Sequence, residues 1–190
     1  MTLPRLITIS GPPGSGKTTL ATALAERTGA TLLRYDDFET FTRNGPAAMR
    51  DWIARGAPYE EMEAPGLANA IERALASRAT VLLDTPLGPL DPALGERRAF
   101  AVWIELPLDV ALARKLTQLN DSVPNGQEPR FLRWLGGYLT AYQDFVHHAC
   151  QIQRQRLRSR SDCEIDGTIP AESALTDLIP RMSAATNHEN

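Results

Sequence analysis

The string Gly11-Pro12-Pro13-Gly14-Ser15-Gly16-Lys17-Thr18 matches G-x-x-x-x-G-K-[ST] without a mismatch, and no other stretch constrains the fold as strongly. Its context agrees. The apolar run Leu6-Ile7-Thr8-Ile9 before it reads as a buried strand. The stretch Lys17 to Thr28 after it has apolar Leu20, Ala23 and Leu24 at helical spacing and stops at Gly29. Glycines let the backbone turn its N–H groups inward around a phosphate, and the following helix points its positive end at the same anion. Lys17 then reaches the terminal phosphates of a nucleoside triphosphate, the Thr18 hydroxyl serves Mg²⁺, and Thr19 closes the phosphate-binding set. The plain alternative is a glycine turn that caps a helix and leaves Lys17 in solvent. It does not explain why strand, loop and helix follow in this order.

The rest of the chain alternates short apolar runs with longer amphipathic ones. Strands are expected at Thr31–Arg34, Thr80–Asp84, Ala101–Glu105 and, more weakly, Cys163–Asp166. Helices are expected at Gly66–Ser77, Leu108–Leu119 and Ala171–Arg181. Strands joined by helical crossovers imply an α/β fold, a three-layer sandwich around a parallel five-stranded sheet. Three segments interrupt this rhythm. Residues 36–65 hold Pro46, Pro58 and Pro65 and should cover a site rather than fill the core. Residues 120–130 are polar, with Pro124, Gly126 and Pro129, and lie where a small helical lid would lie. Residues 184–190 read as a flexible tail beyond a single domain of residues 1–183.

Composition narrows the function. With 190 residues the chain has room for one core. A 43% hydrophobic and 23% charged composition excludes global disorder. The net charge of −3 has the wrong sign for a dedicated nucleic-acid binder. The basic run Arg154 to Arg160 reads as a solvated helix end. No apolar stretch is long enough to span a membrane, and the N-terminus lacks the layout of a signal peptide, so a cytoplasmic protein is expected. Two cysteines, Cys150 and Cys163, form neither a disulfide framework nor a zinc site and read as inert thiols. The oligomeric state, monomer or homodimer, stays open.

A phosphate loop names the donor's phosphates, not the reaction. Asp36 and Asp37 directly follow the second strand, and ligands of open parallel sheets sit beyond the carboxyl ends of strands. A carboxylate there can take a proton from an attacking hydroxyl. Asp37 can equally cap a helix. Asp84 closes the run Val81-Leu82-Leu83, as expected of an acid beside the metal, although an Asp also suits the start of the turn Asp84-Thr85-Pro86.

The phosphate loop, then Tyr35-Asp36-Asp37-Phe38, then Val81-Leu82-Leu83-Asp84, together resemble the uridine kinase and nicotinamide riboside kinase group of P-loop small-molecule kinases. The resemblance implies that Asp36 is the general base and that Asp84, with Thr18, supports Mg²⁺. It also implies that Glu63, in Glu63-Ala64-Pro65, contacts sugar hydroxyls of the acceptor, Glu replacing the group's usual Asp. Where that group carries further arginines, Gln118 and Leu119 stand here, and residues 121–128 hold none. The cation that stabilises the transition state stays open among Arg114, Arg130 and Arg133.

The expected function is ATP- and Mg²⁺-dependent transfer of the γ-phosphoryl group to a hydroxyl of a small molecule, a nucleoside-like acceptor first. Lys17, Asp36 and Arg114 form the catalytic set, and Asp37, Phe38, Trp52, Arg55 and Glu63 the acceptor set. The alternatives are a kinase of a sugar acid or an antibiotic alcohol and, from another class, a regulatory ATPase switch. The lack of an Asn-Lys-x-Asp element ranks a guanine-specific GTPase below these. Trp103 belongs to the core, and the Trp134, Tyr138, Tyr142 and Phe145 series to a packing stripe.

Overall fold

A computed structural model describes residues 3–77 and 79–188. Five strands, β1 (Leu6–Ser10), β2 (Thr31–Arg34), β3 (Val81–Asp84), β4 (Phe100–Glu105) and β5 (Cys163–Asp166), form one parallel sheet in the order β2-β3-β1-β4-β5. Every residue of β1 and β3 is buried, as befits central strands covered on both faces. Seven α-helices complete the described chain: α1 (Lys17–Thr28), α2 (Gly45–Ala54), α3 (Leu67–Ala76), α4 (Leu108–Asp121), α5 (Glu128–Ala141), α6 (His147–Leu157) and α7 (Ala171–His188). The α/β sandwich and its parallel sheet are as the alternation of apolar and amphipathic runs implied.

Side chains of a strand alternate between faces, and the core divides accordingly. Ile7, Ile9, Leu82, Val102 and Ile104 pack on one face with Leu20 and Leu24 of α1 and Leu175 and Leu178 of α7. Leu6, Val81, Leu83 and Trp103 pack on the other with Leu67 and Ile71 of α3 and Leu157 of α6. Trp103 is buried, as expected, and its Nε1 donates to Glu105 Oε2 at 2.7 Å.

Three segments differ from expectation. Residues 36–65 fill the core as well as covering a site: Phe41, Trp52 and Tyr59 join the second cluster. The rings of Phe41 and Trp52 meet edge to face, with centroids 5.1 Å apart, and Trp52 Nε1 donates to the Pro58 carbonyl at 2.9 Å. The expected lid is the turn between α4 and α5 plus the start of α5, a helix with no buried residue. Finally, α7 continues through His188, so residues 184–188 are helical where a flexible tail was expected; Glu189 and Asn190 lie outside the described residues.

Helices α5 and α6 are continuous through one wide turn, the π-helical residues Tyr142–Val146. Tyr142 Oη donates to the Leu108 carbonyl at 3.3 Å, fastening the turn to the start of α4, and Phe145 is buried. Such turns shift the helical register and occur often at functional sites. Its last residue, Val146, and Ala149, Cys150 and Gln153 of α6 line a cleft.

Candidate active site

The phosphate loop leaves β1 and enters α1 across the carboxyl end of the sheet. Helix α1 has no side-chain cap, so its first N–H groups remain available to an anion. Gly14 has φ +86°, and a Cβ there would lie 2.1 Å from the Ala111 carbonyl oxygen of α4. Only glycine lets α4 approach the loop this closely. Lys17 Nζ donates to the Pro12 carbonyl at 3.1 Å, and Ser15 Oγ is buried without a hydrogen-bond partner. An orphaned hydroxyl at the uncapped start of α1 suits a phosphate.

The sheet order brings the acids to this loop. β1 and β3 are neighbours with Ile9 opposite Asp84, and Thr18 Oγ1 donates to Asp84 Oδ2 at 2.7 Å. Burial pushes the Asp84 carboxyl above its usual range, against the Thr18 hydrogen bond and the Lys17 charge. Burial likewise pushes the Lys17 ammonium down, while Asp84 first and Asp36 second pull it back up. A buried acid and a half-buried base thus face the loop, the acid tied to Thr18 and the base to the Pro12 carbonyl.

Magnesium fits this arrangement as a shared ion. It takes hard oxygen ligands, and the Thr18 hydroxyl and the Asp84 carboxylate supply them at one point. Among the described residues no group of three or more His, Cys, Asp or Glu could hold a metal, so phosphate oxygens and water would complete the shell.

A cleft of about 1040 Å³ runs through this centre. On one side it is lined by Arg114, Lys115 and Gln118 of α4 and by the Asp166–Ala171 turn that follows β5. Arg114 Nη1 donates to the Gly167 carbonyl at 2.6 Å, so its guanidinium is held at that turn. On the other side lie Asp36, Glu39 and apolar residues from α2, its flanking turns, the π turn and α6. Asp36 sits in the single 3₁₀ turn Tyr35–Asp37 after β2, exposed at the cleft.

The structure therefore brings together Gly11, Pro13, Gly14, Ser15, Gly16, Lys17, Thr18, Thr19, Asp36, Asp84, Arg114 and Trp52 in one cleft. Pro12 contributes its carbonyl to Lys17. Other expected acceptor residues do not line it. Asp37 is exposed, and Phe38 packs half-buried against the core. Arg55 is turned outward, bound to Asp51 and Glu61. Glu63 is exposed, its backbone carbonyl accepting the Thr40 N–H. Arg130 and Arg133 are exposed on α5, away from the lining. The reading of the sequence missed Glu39, Cys150 and Gln153. For α6 a signal existed: Val146, Ala149, Cys150 and Gln153 recur at i, i+3, i+4 and i+7, one helical face.

A phosphate loop between the first strand and first helix, beside a strand that ends in an acid, defines a P-loop protein. The chain belongs to the AAA_33 family, an AAA domain whose model matches residues 6–161. A cytidylate kinase from Halobacterium salinarum is 30% identical over 125 residues, which is 63% of this chain and 60% of that protein. The chain thus spans well under two thirds of that curated relative. Solved structures share the fold. A gluconokinase from Sinorhizobium meliloti has a TM-score of 0.58 at 18% identity, covering 99% of this chain and 97% of that one. A shikimate kinase from Acinetobacter baumannii in complex with shikimate has 0.55 at 20%, covering 97% and 95%. A sugar kinase from Janibacter has 0.57 at 16%, covering 94% of each chain.

Proposed function

We propose that this protein is an ATP- and Mg²⁺-dependent phosphotransferase that moves the γ-phosphoryl group to a hydroxyl of a small molecule. The observation that carries this reading is that one cleft holds the phosphate loop, the β5–α7 turn and, beyond Asp36, an apolar lining from α2 and α6 with room for an acceptor, the acceptor chamber. A nucleotide-driven switch has no need of that apolar extension. The family match, and relatives named cytidylate kinase, gluconokinase and shikimate kinase, agree with it. The resemblance to the uridine kinase group adds a nucleoside as one acceptor to test.

The chain's own groups have distinct tasks. The N–H groups at the start of α1 and the Lys17 ammonium hold the phosphates in place and stabilise charge on the transferring group. Bound Mg²⁺, held by Thr18 and, through water, Asp84, would neutralise the charge developing toward the leaving group. Asp36 Oδ takes the proton of the attacking hydroxyl. Fixing hydroxyl and phosphate in one cleft supplies the remaining advantage through orientation.

The test is ADP release from Mg-ATP with and without alcohols, in the wild type and Asp36→Asn. Acceptor-dependent release that falls about 10²-fold in the variant, with nucleotide affinity kept, supports the reading. Release that no alcohol accelerates overturns it.

A further inference from the structure

The acceptor chamber differs from what the polar candidates in residues 36–65 suggested. We infer that it takes a neutral alcohol with a flat, apolar body, and not a hydroxy acid, a sugar phosphate or a polyol. This rests on the phosphotransferase reading and names the substrate class for that same site.

The first observation is the wall. Phe41, Trp52, Tyr59, Met62, Leu87 and Phe145 line this side of the cleft. Three of them are aromatic rings from residues 36–65, brought together because Phe41, Trp52 and Tyr59 pack in one cluster. Burial pushes the Tyr59 phenol up to about 12 and the Cys150 thiol up to about 11, so both stay uncharged at neutral pH. Walls of this kind reward apolar and aromatic area and offer few partners to a ring of hydroxyls, each of which would be left unpaired on burial.

The second observation is charge. Among the described residues lining the cleft, the basic ones are Lys17 at the loop and Arg114 and Lys115 on α4. Of these only Lys17 reaches this side, where its charge acts on Asp36 and on Cys150 of α6 and is committed to the donor's phosphates. The nearby arginines are engaged elsewhere: Arg50 with Asp144, Arg55 with Asp51 and Glu61, and Arg156 with the carbonyls of Gly56 and Ala57. Arg43 is exposed and does not line the cleft. The other charges on this side are the carboxylates of Asp36 and of Glu39, the latter accepting from the N–H and hydroxyl of Thr42. An acceptor carboxylate or phosphate would enter without the fork of donors such groups need and would meet like charge.

The third observation is a fixed polar group. Gln153 is buried, and its Nε2 donates to the Pro86 carbonyl at 2.6 Å. A carbonyl can only accept, so Nε2 is the atom on Pro86 and Oε1 is the free acceptor of this cleft-lining residue. An acceptor with one N–H or O–H donor besides the reacting hydroxyl would find a partner in this residue.

In the reaction the acceptor oxygen forms a bond to the γ-phosphorus as the bond to the β–γ bridging oxygen breaks. The hydroxyl proton passes to Asp36, and ADP leaves with the bridging electrons. The products are ADP, the phosphate monoester of the alcohol and one proton.

The experiment compares three acceptor sets in the ADP-release assay: phenyl-substituted propanediols; uridine and cytidine; and gluconate, shikimate and glycerol phosphate. We expect kcat/KM for the best propanediol to exceed that of every acid by about tenfold or more, and of both nucleosides by a smaller margin. Met49, also on the chamber wall, supplies the second arm: Met49→Arg should lower the propanediol preference over acids about tenfold. Calorimetry of each acceptor with the Mg-ADP form gives a readout independent of turnover and shows whether a variant still folds and binds nucleotide. Acceptor-dependent release that is best with nucleosides, or with acids, overturns this inference and leaves the phosphotransferase reading standing. Release that no set accelerates overturns both.

Discussion

Thr18 at the start of α1 and Asp84 at the end of β3 are 66 residues apart in sequence and share a hydrogen bond of 2.7 Å. That contact places an oxygen pair beside the phosphate loop, and under the proposed reaction Asp84 would serve the metal while Asp36 takes the proton. Asp84→Asn should raise the half-saturating Mg²⁺ concentration about tenfold or more. Asp36→Asn should instead lower kcat about 10²-fold at unchanged nucleotide affinity. Metal titrations of the two variants check this, and matching behaviour would sink the division of labour.

Asp84 should also cost stability in the ligand-free protein. Burial raises its folded pKa, so its stabilising contribution is complete below the ordinary carboxylate value and is lost as pH rises through the folded one. At neutral pH the buried carboxyl is a burden, and asparagine can still accept the Thr18 hydrogen bond. Thermal melts without nucleotide should show Asp84→Asn above wild type at pH 7, the gap closing toward pH 4.

For Lys17 the sign is reversed in pH but equal in consequence. Burial lowers its folded pKa, so its stabilising contribution is present above the ordinary value of 10.5 and is lost as pH falls through the folded one. Lys17→Met should leave the ligand-free fold at least as stable as wild type at pH 7 while turnover drops below about a tenth. A variant that melts lower and still turns over at the wild-type rate would refute both halves.

Gly14 and Gly16 separate two reasons for a glycine. Both have positive φ, +86° and +90°, but a Cβ at Gly14 meets the Ala111 carbonyl at 2.1 Å, whereas one at Gly16 meets nothing within 4 Å. Gly16→Ala should cost about 1 kcal/mol in urea unfolding, from backbone strain alone. Gly14→Ala should cost clearly more and weaken nucleotide binding, because α4 must move away.

Arg114 is held by the Gly167 carbonyl at the β5–α7 turn. Arg114→Ala should therefore raise the KM for ATP more than it lowers kcat, as expected of a group that positions the donor. A loss confined to kcat would return it to the transition state.

What the sequence determined by itself was local. The phosphate loop, the glycine stop of α1 at Gly29 and the strand ending in Asp84 are written in residues a few positions apart, where backbone sterics and periodicity act directly. Tertiary structure decided the rest. Asp84 meets Thr18 only because β3 pairs with β1, and the order β2-β3-β1-β4-β5 rests on strand pairings distant in sequence. Arg55 and Glu63 were chemically reasonable acceptor ligands, but side-chain chemistry carries no direction; ion pairs with Asp51 and Glu61 turn Arg55 to solvent, and Glu63 lies exposed beside the core. Gln153 lies 117 positions beyond Asp36 in chain numbering, and the continuous α5–α6 helix with its π turn carries it back to the same cleft. That return is a matter of packing: the apolar face of α6 is buried against the cluster of Phe41, Trp52 and Tyr59, and the polar group on that face is carried along.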